Sequence, residues 1–221
     1  MSEAPATVLP RKRKRSVAQE AKTEATRRRL LEATASVIGE QGFGKTTIDA
    51  ITARADVAHG AFYLHFASRQ DAFDQVLTVL GNDLVEAIGA SIKDAHDIAE
   101  IERRGLQANL AFSSSHPGMH RVMSEAELFA PEAYKAFMGS LRSRYVRSLR
   151  RSRDAGKLIG FRDDELETLA VLLMGLRRAL IHAFCLDGAA VRSPPPEVIE
   201  TMLAFVVRGL VSLPEDAADE T

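Results

Sequence analysis

Apolar residues recur at spacings of three and four positions along most of this 221-residue chain, which is the period of one face of an α-helix. Glycines and prolines interrupt the pattern at intervals, for example at Gly42, Pro117, Gly160 and 194–196. No stretch of alternating β-branched residues competes with it, and no internal repeat is visible. The sequence therefore predicts an all-α fold.

Three of the predicted helices lie close together near the N-terminus. The first begins near Thr23 and stops at Gly42. A second, short helix follows the candidate N-cap Thr47, and a tight turn separates it from a third over 59–66. Short helices bury little surface alone, so these three must pack together. Two short helices joined by a tight turn and packed on a longer one present a recognition helix to the DNA major groove, which predicts a helix-turn-helix DNA-binding domain over 23–69.

Longer helices are predicted beyond this unit. Ser68 and Asp71 form a capping box at the start of a helix that runs to about Lys93. Further helices are expected over 97–114, 118–129, 131–155, 163–186 and 196–213. The predicted organisation is a basic N-terminal arm over 1–22, the helix-turn-helix domain and a larger C-terminal helical domain over 70–221.

Composition excludes several classes of protein. With 46% hydrophobic and 27% charged residues, the chain has the composition of a globular protein rather than a disordered one. No apolar run reaches the ~18 residues that span a bilayer, and no apolar signal core follows the basic N-terminus. The single cysteine, Cys185, leaves no internal disulfide. We therefore expect a cytoplasmic protein that is not bound to a membrane.

Charge is balanced overall but not along the chain. The 29 Lys and Arg residues against 30 Asp and Glu residues leave a net charge of -1, yet the stretch from Arg11 to Arg29 holds nine basic residues and two acidic ones. A basic arm on a near-neutral body is typical of contact with nucleic acid or an acidic membrane. A solvated tail is the alternative for its first part, which consists of Arg11, Lys12, Arg13, Lys14 and Arg15.

The segment from Thr47 to Phe73 (TIDAITARADVAHGAFYLHFASRQDAF) carries a more specific signal. Its YLHF run at 63–66 and its SRQDAF run at 68–73 resemble the TetR family of bacterial transcriptional regulators, and the resemblance is close over roughly residues 23–80. It implies a homodimer that binds a palindromic double-stranded DNA operator, with a small-molecule effector in the C-terminal domain. The implied function is that of a repressor released by a small hydrophobic or aromatic effector.

The resemblance also implies roles for individual residues of the DNA-binding unit. The hydroxyl of Thr47 and the phenol of Tyr63 are suited to binding DNA phosphates. Gly60 allows close approach to the groove, and His59 and Ala61 are the expected base readers. The full set of expected DNA contacts is Arg11, Lys12, Arg13, Lys14, Arg15, Lys45, Thr46, Thr47, Ala58, His59, Gly60, Ala61, Tyr63, Leu64, His65 and Arg69.

Three positions depart from the family pattern. Asp56 stands in the turn where glycine is usual, Ala58 replaces the serine or threonine that often starts the recognition helix, and Leu64 replaces a polar side chain. The helix therefore has fewer charged contacts than usual, and the basic arm is expected to compensate along the phosphates or in a minor groove. From the residues alone, His65 is better explained as a core or cap residue than as a base reader.

The family usually has an apolar ligand pocket in its C-terminal half. Met and aromatic residues are the candidates to line it, although plain core is the commoner role for any one of them: Phe112, Met119, Met123, Phe129, Tyr134, Phe137, Met138, Leu141, Tyr145, Met174 and Phe184. Polar residues interrupt the apolar faces at Glu125, Glu127, Arg177 and Arg178. They either orient the effector or form structural ion pairs between the glutamates and the arginines, and the pairs are favoured.

Two C-terminal helices are apolar on more than one side, which indicates burial on both sides. In the family, two such helices from each subunit form a four-helix dimer interface, and a two-fold dimer sets the recognition helices about 34–36 Å apart for palindromic half-sites. The expected interface residues are Leu169, Leu173, Leu176, Leu180, Met202, Phe205, Val206 and Leu210. The alternative is that both helices are buried within one chain.

Enzyme chemistry is not expected. The sequence has no glycine-rich phosphate loop and no nucleophile elbow, and Cys185 lies among apolar residues, where thiols are inert. His116 and His120 have the i, i+4 spacing of a metal-binding pair, but no Glu, Asp or Cys completes a set, so neither a metal nor a cofactor is expected. The alternative function is that of a helical adaptor whose basic arm binds anionic lipid or protein.

Overall fold

The computed structural model describes residues 17–188 and 190–210. Its helices are α1 (Val17–Gln41), α2 (Ile48–Arg54), α3 (His59–Phe62), α4 (Arg69–Ser91), α5 (Ile98–Ser115), α6 (Met119–Phe129), α7 (Pro131–Asp154), α8 (Leu166–Phe184) and α9 (Pro196–Leu210). Single 3₁₀ turns cover Phe43–Lys45 and Asp163–Glu165. The helical architecture confirms the predicted fold class.

A small antiparallel hairpin between α8 and α9 was not predicted. It pairs β1 (Leu186–Asp187) with β2 (Ala190–Val191). Two residues per strand are too few to show an alternating pattern, so the sequence carries no signal for it.

The predicted start of α1 is wrong, because the helix begins at Val17 rather than near Thr23. Residues 18–25 are mostly Ala, Glu, Lys and Gln, which form helices well but present no apolar stripe. The basic residues Arg11–Arg15 and the predicted end of the last helix beyond Leu210 lie outside the described residues.

Side-chain caps fix the helices of the N-terminal unit, α1–α3, and the start of α4. Thr47 caps α2 by accepting a hydrogen bond from the amide of Ala50 at 3.1 Å. Ser68 caps α4 by accepting from the amide of Asp71 at 3.1 Å, while the carboxylate of Asp71 accepts from the amide of Ala67 at 2.8 Å. These caps satisfy amides that the helices leave free, as the sequence predicted.

One apolar core connects the N-terminal unit with the helices that follow. Ile51 of α2 and Phe62 of α3 belong to the same buried cluster as Phe73 of α4 and Phe137 of α7. Two further clusters lie between α5, α7, α8 and α9. The N-terminal unit is therefore packed against the C-terminal helices, α4–α9, rather than tethered to them.

The expected dimer residues on α8 and α9 mostly face this chain's own core, which corrects the sequence-based assignment. The buried ones are Leu169, Leu173, Leu180, Met202, Val206 and Leu210. Leu176 is half-buried, and Phe205, which is 67% exposed, is the one member of the set on the surface. The long apolar seam of α8 packs on residues of α5, α7 and α9 of the same chain.

The turn between α2 and α3 contains an unusual backbone position. Asp56 has a φ of 52° and is the one non-glycine residue with positive φ in residues 17–188 and 190–210. The amide of Asp56 donates to Ala53 O at 3.3 Å and that of Val57 to Thr52 O at 3.1 Å, which is the Schellman pattern at a helix C-terminus. Glycine is usual at this position because other residues are strained there.

We expect Asp56→Ala to lower the free energy of unfolding by about 1 kcal/mol, since alanine tolerates the left-handed region less well than aspartate. Asp56→Gly is the matched control and should not be destabilising. Urea unfolding of the three proteins measures the difference, and an alanine variant as stable as the original would show that this turn is not strained.

Candidate functional site

Helix α3 and the turn after it are anchored on one side and exposed on the other. Phe62 and Phe66 are buried, at 0% and 1% exposure, and their rings lie 5.4 Å apart. Between them, Tyr63 is 54% exposed and Leu64 is 82% exposed. Because two buried aromatic residues four positions apart fix the segment, the side chains of Tyr63 and Leu64 face outward.

Gly60 lies on this outer face, and the packing of the chain itself does not require a glycine at this position. A Cβ added there would meet no atom within 4 Å. The ring of Tyr63 packs edge-on against Phe62 at 5.6 Å and near His59 at 5.6 Å, while its hydroxyl has no hydrogen-bond partner in the described part of the chain. The open glycine backbone and the unpaired phenol are suited to contact with an external partner.

His59, at the start of α3, is partly engaged within the unit. Its Nδ1 lies 2.6 Å from the Oδ1 atom of Asp49, in the first turn of α2. This contact links α2 to α3 and leaves Nε2 as the ring nitrogen that faces away from Asp49. Sequence reasoning missed Asp49, because ten residues separate the two side chains and no spacing rule connects them.

Several other expected DNA contacts are exposed or half-buried. Ala58 and Lys45 are exposed, Ala61 is half-buried, and the exposed Thr47 still has a hydroxyl hydrogen to donate after capping α2. His65 is half-buried with its ring 6.3 Å from that of Phe66, which agrees with the core or cap alternative.

One expected DNA contact, Thr46, has another role in the structure, so that assignment is corrected, while Arg69 is partly engaged within the protein. Thr46 is fully buried and its hydroxyl donates to Gly42 O at 2.8 Å. Arg69 donates to Thr46 O at 2.5 Å, and its guanidinium lies 4.4 Å from the ring centroid of Phe43. Both side chains contribute to the corner between the 3₁₀ turn and α4, where Thr46 is buried and Arg69 is half-buried, so Arg69 remains a predicted DNA contact.

Phe43 joins the N-terminal unit to the C-terminal helices. Its ring stacks on Phe73 of α4 at 4.7 Å and lies 5.3 Å from Phe129 of α6. Its amide donates to the carboxylate of Glu125 at 2.6 Å, and Glu125 also pairs with Arg121 at 2.8 Å. The expected pairing of Glu125 with an arginine of α8 is therefore wrong.

A second contact between the two halves is made backbone to backbone. A Cβ added to Gly39 of α1 would lie 2.1 Å from the Cα of Gly118, the residue that precedes α6. Gly118 itself has a φ of +90°, which other residues rarely adopt. Neither glycine can gain a side chain without moving α6 away from α1.

A buried ionic cluster lies among α5, α7 and α8. Arg177 is 6% exposed and Glu102 is 1% exposed, and Arg177 Nη2 lies 2.8 Å from Glu102 Oε2. The hydroxyl of Tyr145 donates to the other carboxylate oxygen of Glu102. The arginine that the sequence singled out is thus paired, but with a glutamate 75 positions away instead of with Glu125 or Glu127.

The protonation states of the cluster follow from its burial. Burial raises the pKa of the Tyr145 phenol well above its ordinary value, and nearby Glu102 adds to the effect, so the phenol stays protonated and donates. Burial alone would lower the pKa of Arg177, but Glu102 and Tyr145 outweigh it and the net shift is upward. Arg177 therefore carries its charge inside the protein.

A cavity of about 210 Å³ opens beside this cluster. Its wall on α4 and the following turn is Val85, Ile88, Gly89 and Ile92, and its wall on α5, α7 and α8 is Ile101, Leu141, Arg144, Tyr145, Arg147, Ser148, Arg151 and Arg177. Of the residues expected to line a pocket, Leu141, Tyr145 and Arg177 do so.

The other expected pocket residues lie elsewhere, and their assignment is corrected. Core positions are taken by Phe112, Met119 and Phe137, with Met123, Tyr134, Met138 and Met174 half-buried against the core clusters. The surface holds Glu127, Phe129, Arg178 and Phe184. The apolar first half of α7 packs on α4 and α6, whereas its arginine-rich second half lines the cavity.

The histidine pair does not form a metal site. His116 stacks on Phe112 with ring centroids 3.9 Å apart, whereas His120 faces His182 at 6.1 Å. Burial, and then His182 and Arg178, lower the pKa of His120. Within 17–188 and 190–210, no three His, Cys, Asp or Glu residues are grouped to hold a metal ion. A helix long and apolar enough to cross a membrane is likewise absent from those residues.

Comparison with known proteins bears on the exposed α3 unit and on the fold. A sequence model described as bacterial regulatory proteins, tetR family, matches residues 30–76, which contain α2, α3 and the start of α4. The chain is 36% identical over 69 residues to the HTH-type transcriptional repressor DhaR of a Mycobacterium species, a match that covers 31% of this chain and 35% of DhaR.

Two longer matches extend beyond the N-terminal unit. The nucleoid occlusion factor SlmA of Photobacterium profundum is 28% identical over 154 residues, which is 67% of this chain and 78% of SlmA. The crystal structure of the transcriptional regulator FadR from Bacillus subtilis in complex with stearoyl-CoA superposes with a TM-score of 0.66 at 14% identity, over 83% of this chain and 98% of FadR. At that identity the structural match establishes the fold alone.

The family match falls on the residues that form the helix-turn-helix, and the fold around them is that of solved regulators. The family consists of regulators rather than enzymes, which confirms the expectation drawn from the sequence. Residues 30–76 of this chain are therefore a helix-turn-helix unit of the bacterial regulatory proteins of the tetR family, within a fold shared with solved regulators.

Proposed function

We propose that the chain is a homodimeric transcriptional repressor, released from a palindromic operator by a small effector. The observation that carries the proposal is the outer face of α3 and of the turn after it, where Gly60, Tyr63 and Leu64 are exposed on a segment anchored by two buried phenylalanines. A rigid exposed helix is what direct reading of the major groove requires. The relative DhaR is named as a transcriptional repressor, which supports repression rather than activation.

A surface for the second copy lies on α8 and α9. Val171 and Leu172 are 49% and 64% exposed, and Phe205 on α9 is 67% exposed. The exposed side of α8 also carries Gly175, where an added Cβ would meet no atom within 4 Å, and Ala179. Small residues beside apolar ones let two helices approach closely, so this face is suited to an isologous interface.

Effector binding is proposed to reach the DNA through α4. Helix α4 begins at the Ser68 cap beside the N-terminal unit, and its later residues Val85, Ile88 and Gly89 line the cavity. An effector weakens DNA binding only as far as it prefers the arrangement that does not fit the operator. A small displacement at the cavity end of α4 would therefore alter the position of α3 relative to its counterpart in the second copy.

The basic arm Arg11–Arg15 is proposed to add phosphate contacts to those of the α3 unit. It directly precedes α1, which packs against α2. Deleting it should reduce the slope of log affinity against log salt by roughly 0.9 for each lost phosphate contact. If the slope and the affinity did not change, the arm would be a solvated tail without a role in DNA binding.

Nucleoid occlusion is a second candidate function, because the similarity to SlmA continues past the DNA-binding unit through 67% of this chain. The two candidates differ in a reporter assay, where a promoter carrying the bound sequence is silenced by a repressor. Absence of silencing at a promoter whose duplex binds in vitro would favour the second candidate.

Selection of bound sequences from a random duplex library, using the whole 221-residue chain at low salt, tests DNA recognition directly. We expect enrichment of an inverted repeat, because a two-fold dimer presents the same helix to both half-sites. Failure to enrich any sequence with a confirmed dimer would contradict the proposed function and would favour the adaptor whose arm binds anionic lipid or protein.

Tyr63→Phe should weaken binding to the enriched duplex by about tenfold, because it removes one hydrogen bond to a charged phosphate while the ring keeps its packing. Tyr134→Phe is the matched control, since Tyr134 lies on α7, outside the N-terminal unit, and its hydroxyl accepts from Arg178 Nη1 at 3.2 Å. Fluorescence anisotropy measures both affinities. Equal affinities for the two variants would show that Tyr63 does not contact the DNA.

Leu172→Asp should weaken dimerisation by more than about tenfold, because a two-fold interface buries the introduced charge twice. Leu128→Asp is the control, since Leu128 is 75% exposed on α6, away from the proposed interface. Sedimentation velocity over a concentration series gives both dissociation constants. A Leu172→Asp variant that dimerises like the control would place the interface elsewhere.

A further inference from the structure

One wall of the 210 Å³ cavity is basic and lacks compensating acids. Arg144, Arg147 and Arg151 recur at spacings of three and four, which places them on one face of α7. No Asp or Glu lines the cavity. Glu102, which follows the lining residue Ile101, is already engaged by Arg177 and Tyr145.

The three arginines have no carboxylate partner in the part of the chain that the structure describes. Arg151 donates only to Ile92 O at 3.3 Å and to Ser148 Oγ at 3.5 Å. Arg144 is half-buried and makes no side-chain hydrogen bond there, with its Nη1 3.6 Å from the position of a Cβ on Gly89. The half-buried Arg144 and the exposed Arg147 and Arg151 are therefore cationic groups that no carboxylate of the described residues neutralises.

Other arginines of α7, on faces away from the cavity, are paired. Arg142 lies 3.2 Å from Glu167, and Arg150 lies 2.8 Å from Asp163. The difference between these residues and the cavity arginines is one of position, since all lie on the same helix. The carboxylate partners of α7 therefore lie on the faces of this helix that point away from the cavity.

A buried donor among the residues that line the cavity is also unsatisfied. Arg177 is 6% exposed, and its Nε has no hydrogen-bond partner within the described residues, although Nη2 binds Glu102. A buried polar group without a partner is destabilising unless a ligand or water supplies one. The unsatisfied Nε of Arg177 therefore favours a polar occupant of the cavity.

A second part of the lining is apolar. Val85, Ile88 and Ile92 come from α4 and its end, and Ile101 and Leu141 complete the surface. A guanidinium binds carboxylate or phosphate oxygens through two parallel hydrogen bonds, whereas branched aliphatic side chains bind hydrocarbon. The two walls together match a molecule with an anionic end and an apolar body.

We propose that this cavity binds a compact amphipathic anion, with its carboxylate or phosphate held by Arg144 and Arg151 and its apolar part against Ile88, Ile92 and Leu141. The volume of 210 Å³ equals that of about seven liquid waters, which suits a short organic anion rather than a bulky one. The inference names the chemical class of the effector, and it rests on the proposed function for the consequence that binding alters DNA affinity.

Calorimetric titration of the whole chain without DNA tests the binding. The probes are octanoate, octyl phosphate and 1-octanol, which share a hydrocarbon chain and differ in the head group. We expect at least one anion to bind about tenfold or more tightly than the alcohol, and the better anion identifies the head group. Equal or tighter binding of 1-octanol, or no anion binding at millimolar concentration, would overturn the proposal.

Arg144→Gln should weaken binding of the better anion by about tenfold and leave the thermal unfolding midpoint unchanged, since no internal partner is lost. Arg142→Gln is the matched control on the same helix and should bind like the original. Equal affinities for the two variants would overturn the assignment of Arg144.

Adding the anion to the complex with the selected duplex separates the two proposals. If the anion binds the free protein but does not release the duplex, the cavity assignment stands and the effector part of the proposed function fails. If the duplex binds while no anion binds the free protein, the cavity assignment fails and DNA recognition stands.

Discussion

The attachment of the DNA-binding unit to the rest of the molecule depends on Phe43. Its ring stacks on Phe73 and packs against Phe129, and its amide donates to a carboxylate oxygen of Glu125 at 2.6 Å. Aromatic stacking and a charge-assisted hydrogen bond both depend strongly on distance and orientation. The unit therefore cannot rotate on α4 and α6 without losing several contacts at once. A coupling of this kind is what a regulator needs if an event in its C-terminal helices is to change how it binds DNA.

Two other features place the cavity within reach of this junction. The backbone contact of Gly39 with Gly118 fixes the start of α6 against α1, and α4 runs from the cap at Ser68 to the cavity residues Val85 and Ile88. Interiors packed this closely move in discrete steps rather than by smooth deformation. Occupation of the cavity is accordingly expected to select between two positions of α4. The buried ion pair between Arg177 and Glu102 fixes one of the residues that line the cavity.

Local features of this fold were predictable and long-range ones were not. The caps at Thr47 and Ser68 and the anchors Phe62 and Phe66 depend on residues within four positions of each other, which spacing rules capture. Arg177 and Glu102 lie on different helices and are separated by 75 positions, and no sequence pattern selects one glutamate among many as the partner of Arg177. The arginines of α7 read as an ordinary solvated face, and only the packing of that helix against α4 shows that three of them line a cavity. Similarly, an apolar seam on α8 does not show whether it faces its own chain or a second one.

Amide hydrogen exchange at Phe43 tests the coupling most directly, comparing Glu125→Gln with the matched control Glu127→Gln on the same helix, where Glu127 is exposed. Loss of the carboxylate weakens the hydrogen bond from the Phe43 amide, so we predict exchange about tenfold faster or more in Glu125→Gln, with no change in Glu127→Gln. Exchange at Phe43 that is equally slow in both variants would contradict the account, because the two halves would then be held together without this contact.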